Sequence, residues 1–198
     1  MDLPPFPADE NRVFFHLEDL PYRQITEVWE YRFTDIRPED IVVDIGANIG
    51  AFCIRAARMA RQVMAVEPVT YEPLRENIRL NRVAVKVLEG ALGNGKPAEI
   101  SWDDKRVVSP TFTLQKIRQI AGGCDFLKCD CEGAEWLIDP AELTGIRRIE
   151  MELHHPPIGG PPNPELLDAI SRQYDFAIDR KPCHDVLGVM GILHAERK

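Results

Sequence analysis

Runs of apolar residues alternate with helical patterns along most of the chain beyond residue 40. The apolar runs predict strands over 41–45, 63–67, 85–88, 126–130, 148–154, 176–180 and 189–195, with a further edge strand over 98–102. The 3.6-residue periodicity predicts helices over 49–59, 71–82, 114–120 and 164–174. Alternating strands and helices are typical of a parallel sheet with right-handed crossovers and helices on both faces. The pattern therefore predicts a doubly wound α/β fold.

The chain of 198 residues is predicted to form a single domain preceded by a short lead-in. Residues 1–37 bear prolines and aromatic residues and are interpreted as an N-terminal lead-in or cap segment, and residues 38–198 as the main domain. No run of apolar residues reaches the length of a membrane span, and the first ten residues are acidic and proline-rich, unlike a signal peptide. We therefore expect a cytoplasmic protein without a membrane span.

The net charge of the chain and the spacing of its cysteines and histidines argue against several kinds of partner and site. The 24 Lys and Arg residues face 32 Asp and Glu, a net charge of −8 that would repel a phosphate backbone, so nucleic acid is disfavoured as a partner. The five cysteines form no C-x-x-C pair, which argues against a disulfide framework or a zinc knuckle. The pairs His154-His155 and Cys183-His184 lack the usual spacing of metal ligands, and no metal is expected.

The turn after the first predicted strand carries the most informative motif. Asp44, Gly46, Ala47, Asn48 and Gly50 form the pattern D-x-G-A-N-x-G between a strand and a helix. Glycines there let the backbone approach a ligand, while the glycine spacing differs from that of a dinucleotide-binding fingerprint. A carboxylate at the strand tip suits a ligand ammonium group better than a pyrophosphate.

Two more strand tips complete a predicted nucleoside site. Glu67 and Pro68 end the second strand, where doubly wound folds place the acid that accepts both ribose hydroxyls. At the end of the third strand, Glu89, Gly90 and Ala91 are candidate contacts of an adenine ring. An ammonium site and a ribose site without a phosphate site indicate S-adenosylmethionine as the cofactor, with S-adenosylhomocysteine as its product.

The motifs together resemble those of FkbM-type methyltransferases. The resemblance covers about residues 40–154 and rests on the D-x-G-A-N-x-G block, Glu67-Pro68, Asn77, Asn81 and the block K-x-D-x-E-G-A-E over 128–135. It implies a class I methyltransferase fold, Rossmann-like and mostly parallel with a final antiparallel strand. It also implies O-methylation of a hydroxyl on a small molecule, sugar or glycan, which would make that acceptor the partner.

Polar residues share one face of two inner strands, which is unusual for a sheet covered on both sides. Lys128 and Asp130 share a face of the fourth strand, and Glu150, Glu152 and His154 share a face of the fifth. A buried lysine needs a partner, so we hypothesise that Lys128 pairs with Glu150 or Glu152.

Methyl transfer to a hydroxyl requires an aligned nucleophile and a base that removes its proton. Asp130 is the first candidate base, Glu132 the second and His154 the third, and Asp130 is also expected beside the cofactor. Three alternatives stay open: an RNA or protein methyltransferase on the same fold, a non-catalytic module that binds S-adenosylmethionine, and an NAD-dependent oxidoreductase.

Overall fold

The computed structural model describes residues 13–15, 31–102, 104–180 and 188–198. Most of the predicted lead-in, and the pair Cys183-His184, lie outside these residues. The described part contains eleven strands: β1 (Ile41–Ile45), β2 (Gln62–Glu67), β3 (Lys86–Glu89), β4 (Ala91–Leu92), β5 (Ala98–Trp102), β6 (Lys105–Ser109), β7 (Thr111–Phe112), β8 (Phe126–Cys129), β9 (Arg148–His154), β10 (Tyr174–Asp179) and β11 (Val189–Arg197). Its four α-helices are α1 (Ala51–Ala56), α2 (Tyr71–Leu80), α3 (Leu114–Ala121) and α4 (Pro164–Gln173).

Seven of these strands form the central sheet, in the order β10-β11-β9-β8-β1-β2-β3. All neighbours from β9 to β3 are parallel, whereas β11 runs antiparallel to both β9 and β10. This arrangement confirms the predicted class I methyltransferase fold with its antiparallel final strand. It also brings the carboxyl ends of β3, β2, β1, β8 and β9 to one edge of the sheet.

Helices cover both faces of the sheet, as the alternation predicts. One buried cluster packs α1 and α2 against Val42, Val63, Ala65 and Phe126. The other packs α3 and α4 against residues of opposite parity, such as Val43 and Leu127. Because successive strand residues point to opposite faces, these uninterrupted apolar strands fill two cores at once.

The strand over 98–102 is present but is not an edge of the central sheet. It pairs with β6 in a separate antiparallel hairpin, and β4 pairs with β7 in a second small sheet. The sequence analysis missed β4, β6 and β7. Two of them are only two residues long, too short to show any alternation. No α-helix in the described ranges is long and apolar enough to cross a membrane.

Asn163 closes the proline-rich loop 155–163 and begins α4. Its Oδ1 accepts hydrogen bonds from the backbone N–H groups of Glu165 and Leu166, and its Nδ2 donates to the carbonyl oxygen of Trp136. We expect Asn163→Ala to lower the free energy of unfolding by about 1 kcal/mol, the usual cost of losing an N-cap. Urea unfolding followed by tryptophan fluorescence would measure it. Asp168→Ala, a substitution within α4, is the control, and an equal change in both variants would contradict the capping role.

Candidate active site

The turn between β1 and α1 is held tightly against the neighbouring strand tips. Gly46 has a positive φ of 72°, and a Cβ on it would lie 1.6 Å from the backbone oxygen of Asp130. The N–H groups of Gly46 and Ala47 donate to the carbonyl oxygen of Val66 at the end of β2. Gly50 begins α1 with a φ of 102°. The glycines therefore serve two needs here, left-handed backbone and close approach of β1 to β8.

Glu67 organises the next strand tip through its carboxylate. Its Oε2 accepts the N–H of Asn48 at 2.9 Å, and its Oε1 accepts the N–H groups of Val69 and Thr70 at 2.8 and 3.0 Å. Thr70 also donates its hydroxyl to Asn48 Oδ1 at 3.3 Å. Glu67 thus joins the glycine turn to the β2 tip, where Pro68 follows it.

The predicted adenine contacts lie one strand further along the same edge. Glu67 and Glu89 are register partners in the β2–β3 pair. Glu89 forms an ion pair with Arg75 of α2, which occupies its carboxylate. Gly90 is buried under the ring of Phe112, and Ala91 donates its N–H to the carbonyl oxygen of Pro110. The ring of Phe112 and the carbonyl oxygen of Pro110 thus fill the side of Gly90 where a Cβ would stand, and the adenine contacts stay a prediction.

Lys128 has a different partner from the one that the sequence analysis expected. Its Nζ lies 3.2 Å from Oδ1 of Asp44 and 3.6 Å from Oδ2 of Asp130, and it donates to the carbonyl oxygen of Gly46 at 2.8 Å. The side chain of Asp44 is 0% exposed, so Lys128 occupies the carboxylate that was predicted to meet the ligand ammonium. The role of Asp44 toward the cofactor stays a prediction.

Glu150 belongs to a separate buried network, so the predicted Lys128–Glu150 or Lys128–Glu152 pair is wrong. The Glu150 carboxylate lies 2.7 Å from Arg148 and 2.6 Å from Nδ1 of His194, and it accepts the N–H of Arg32 at 3.1 Å. Glu150 is thus paired with Arg148 and His194, and Lys128 pairs instead with Asp44 and Asp130.

The three candidate bases do come together at the tips of β8 and β9. Nε2 of His154 lies 3.5 Å from Oε2 of Glu132, 3.7 Å from Oε2 of Glu152 and 4.0 Å from Oδ1 of Asp130. The His154 side chain is 2% exposed, while Glu132 is 39% exposed and Asp130 27% exposed. We call Asp130, Glu132, Glu152 and His154 the acidic cluster. Glu132 is its most accessible member.

Charge crowding sets the protonation preferences of the acidic cluster. Burial and the charge of Asp130 raise the pKa of Glu152 to about 10, and the same two causes raise the pKa of Glu132. Burial alone would raise the pKa of Asp130, but Lys128 and its other partners lower it below the usual value. Burial alone would lower the pKa of His154, but Glu135 and the nearby acids raise it. The crowding of negative charge therefore favours the protonated forms of Glu152, Glu132 and His154.

Lys128 and Asp44 show the opposing effects of burial and pairing. Burial alone would lower the pKa of Lys128, but the charges of Asp44 and Asp130 raise it above its usual value. Burial raises the pKa of Asp44, and Lys128 partly opposes that change. The pair is an ammonium and a carboxylate that depend on each other in a water-excluded position.

Glu135 holds the side chain of His154 in its orientation. Its side chain is 0% exposed. Its Oε1 accepts a hydrogen bond from the backbone N–H of His154 at 2.7 Å and lies 3.1 Å from Nδ1 of the same residue. Its Oε2 accepts the N–H of Gly133 at 2.9 Å. Glu135 therefore aims the Nε2 edge of the imidazole at the acidic cluster.

The proline-rich loop lies directly against the K-x-D-x-E-G-A-E block. Gly133 and Gly159 both have positive φ, and a Cβ on Gly133 would lie 2.3 Å from the Cα of Gly159. Only glycine at both positions permits this approach. The loop therefore forms a wall next to Glu132.

Two residues of the site escaped the sequence analysis as site residues. Glu152 lies two positions before His154 on the same face of β9, so the strand alternation already carried the signal for it. Tyr31 donates its hydroxyl to Oδ2 of Asp130 at 3.0 Å, and its ring lies 5.4 Å from Nζ of Lys128. Tyr31 is 99 positions from Asp130 in sequence, and no local pattern reaches that far.

The residues at the strand tips fit the groups of S-adenosylmethionine. Acids stand at or just after the ends of β1, β2 and β8, the glycine turn lies against them, and the ring of Phe112 packs on Gly90. S-adenosylmethionine carries an ammonium group, a ribose diol and an adenine, and when bound it supplies a methyl group to a nucleophile. Which of these residues hold it stays a prediction.

Comparison with known proteins gives a family match over nearly half of the chain. Residues 23–117 match the family model described as the TRM5/TYW2 methyltransferase domain. A search of curated proteins finds no match. The match supports a family of S-adenosylmethionine-dependent methyltransferases, and it does not support the FkbM type specifically.

Several solved structures share the fold at low sequence identity. A precorrin-6y C5,15-methyltransferase from Geobacter metallireducens is 12% identical with a TM-score of 0.54, over 98% of this chain and 94% of that one. An rRNA methylase from Streptococcus thermophilus is 9% identical with a TM-score of 0.54, over 92% and 96%. A dimethyladenosine transferase from Plasmodium falciparum is 11% identical with a TM-score of 0.53, over 90% and 62%. At these identities the likeness shows the fold.

The prediction that disfavours nucleic acid and names a small-molecule or glycan acceptor is contradicted by the TRM5/TYW2 match. The prediction relied on the net charge of the whole chain, which averages over the entire surface. Contacts with phosphates depend on the charge of a local part of the surface. Residues 51–86 carry seven Lys and Arg against three Asp and Glu, although the whole chain is acidic. The family match, on a class I fold with acids and glycines at its strand tips, makes this chain an S-adenosylmethionine-dependent methyltransferase.

Proposed function

We propose that the protein transfers the methyl group of S-adenosylmethionine to RNA. The observation that carries the proposal is the match of residues 23–117 to the TRM5/TYW2 methyltransferase domain, because the matched range includes β1, β2 and β3 with the glycine turn and Glu67. The rRNA methylase of Streptococcus thermophilus, which has the same fold over 92% of this chain, agrees with it.

Exposed arginines supply a surface for phosphate contacts. Arg79 is exposed on α2, Arg82 follows that helix, and Arg58 and Arg61 are exposed in the segment between α1 and β2. Arg58 donates to the side chain of Asn81 at 3.3 Å, which brings the ends of the two helices together. Such contacts position an RNA backbone without reading its sequence.

Glu132 is the base that we assign to the reaction. Asp130 is engaged by Tyr31 and Lys128, and His154 is buried with its Nδ1 against Glu135. Glu132 is the most exposed of the three candidates and stands beside the loop wall at Gly159. A carboxylate there can take the proton that the acceptor nucleotide loses on methylation.

The test is transfer of tritium from methyl-labelled S-adenosylmethionine to unmodified tRNA and rRNA transcripts. We expect label in acid-precipitable, RNase-sensitive material, and a loss on the order of 100-fold in Glu132→Gln, since a positioned base contributes about that much. Glu99→Gln is the matched control, because Glu99 lies on the exposed hairpin with Arg106 as its partner.

Binding of the cofactor, measured on the same preparation by calorimetry, keeps the result interpretable. Protein that binds S-adenosylmethionine yet labels neither RNA would contradict the proposal. Label that survives RNase treatment would also contradict it, since the acceptor would then be a different class of molecule.

A further inference from the structure

The acidic cluster combines one imidazole with carboxylates in an arrangement suited to more than proton transfer. Donor atoms of Asp130, Glu152 and His154 all lie within 4.8 Å of one another. Two of these residues are on β9 and one follows β8, so the neighbouring backbones of a parallel pair hold them. We propose that Asp130, Glu152 and His154 bind a divalent cation of the Mn²⁺ type.

The distances between donors fit a single bound ion. Nε2 of His154 is 3.7 Å from Oε2 of Glu152 and 4.0 Å from Oδ1 of Asp130. Ligands bound at about 2.1 Å to one ion are separated by at most about 4.2 Å. The donors therefore need only small rotations of carboxylates to surround one centre.

The orientation of His154 is the independent observation that points to an ion. The side chain is 98% buried, and its Nδ1 is held by Glu135. Its Nε2 faces the carboxylates of Glu132, Glu152 and Asp130 at 3.5, 3.7 and 4.0 Å. A histidine that binds metal through one nitrogen usually presents the other to a carboxylate or carbonyl, which fixes its tautomer. Glu135 stands in that supporting position.

The charge around the cluster also favours a cation. Four carboxylates, those of Asp130, Glu132, Glu135 and Glu152, surround one imidazole. In the described part of the chain, Lys128 is the lysine that pairs with this group, and it shares its charge with Asp44. A divalent ion would compensate the remaining negative charge in a partly buried place.

The donor set selects among cations. Carboxylates suit Mg²⁺, Ca²⁺ and Mn²⁺, whereas an imidazole ligand favours transition metals. One imidazole with two carboxylates therefore favours Mn²⁺ over Mg²⁺ or Ca²⁺. Glu132 is left outside the set, so it remains free as the base assigned above, and its exposure gives the site an open side. Of the adjacent pair His154-His155, only His154 belongs to the set.

Mn²⁺ alone, added to the full chain without an affinity tag, cofactor or RNA, tests the proposal. We expect one equivalent to bind, seen as loss of the free-ion signal in electron paramagnetic resonance, with nitrogen modulation from one imidazole in the bound signal. Glu152→Gln should weaken binding at least tenfold, and Glu99→Gln should leave it unchanged.

Three outcomes would overturn the inference: no binding to the unmodified chain, a bound signal without nitrogen modulation, or equal affinity in Glu152→Gln. The nitrogen modulation is measured on the unmodified chain, so it tests the ligation by His154 even if Glu152→Gln does not fold. Because RNA is absent from the experiment, its failure leaves the proposed function standing, and failure of the RNA assay leaves the cation site standing.

Discussion

Replacing Lys128 with methionine is expected to lower the free energy of unfolding by about 3–5 kcal/mol, the usual cost of breaking a buried ion pair by removing one partner. Asp44 is 0% exposed and faces Lys128 at 3.2 Å, so the variant leaves a carboxylate without its counter-charge inside the sheet. Asp130 loses the same ammonium group, and the carbonyl oxygen of Gly46 loses a hydrogen-bond donor. Urea unfolding monitored by circular dichroism measures the change.

Lys86→Met is the matched control, because Lys86 is exposed on the edge strand β3. We expect it to change the free energy of unfolding by less than about 0.5 kcal/mol. The double variant Lys128→Met/Asp44→Asn should recover part of the loss, since it removes the orphaned charge as well. A cost below about 1 kcal/mol in Lys128→Met, together with no recovery in the double variant, would refute the pairing.

The same lysine shows where sequence reasoning stops. The strand alternation predicted correctly that Lys128 is buried on a polar face of β8. In the sheet it lies between two register partners, Asp44 of β1 and Glu150 of β9. Choosing between them requires knowing that β11 inserts beside β9 and places His194 opposite Glu150. That pairing joins residues 44 positions apart, and no local period encodes it.

Features that depend on local chemistry were accessible from sequence. The D-x-G-A-N-x-G turn needs left-handed backbone at Gly46, and a glycine between a strand and a helix signals that need. Glu67 ends an apolar run, so its place at a strand tip follows from the period of the pattern. The fold class followed from the same alternation and is confirmed.

Features that depend on contacts between distant segments were not accessible. Tyr31 reaches Asp130 from the segment that the sequence analysis described as a lead-in or cap, and the pattern there does not reveal this contact. The loop wall at Gly159 contacts Gly133 because both backbones lack side chains, and the proline-rich composition of the loop does not reveal its partner. The prediction of the acceptor class was wrong for a related reason. It relied on net charge, which does not show where on the surface the charged residues lie.

Glu67→Ala is expected to weaken binding of S-adenosylmethionine by a factor of about 10 to 150. Backbone N–H groups take three of the four acceptor positions of the carboxylate, so Glu67 offers the ribose one charge-assisted hydrogen bond, worth about 1.5–3 kcal/mol, and alanine offers none. The variant also releases the N–H groups of Asn48, Val69 and Thr70, so the shape of the glycine turn is lost with the carboxylate. Calorimetric titration gives the affinity.

Glu99→Ala is the matched control for that measurement, because Glu99 lies on the exposed hairpin with Arg106 as its partner. We expect its affinity to stay within about threefold of the unmodified chain, a change of less than about 0.7 kcal/mol. Glu67→Gln, which keeps one acceptor oxygen, provides a second variant if Glu67→Ala does not fold. The loss should be equal for S-adenosylmethionine and S-adenosylhomocysteine, since both carry the same ribose. An equal loss in Glu67→Ala and Glu99→Ala would contradict the ribose role, because it would reflect a general weakening of the fold and not a contact made by Glu67.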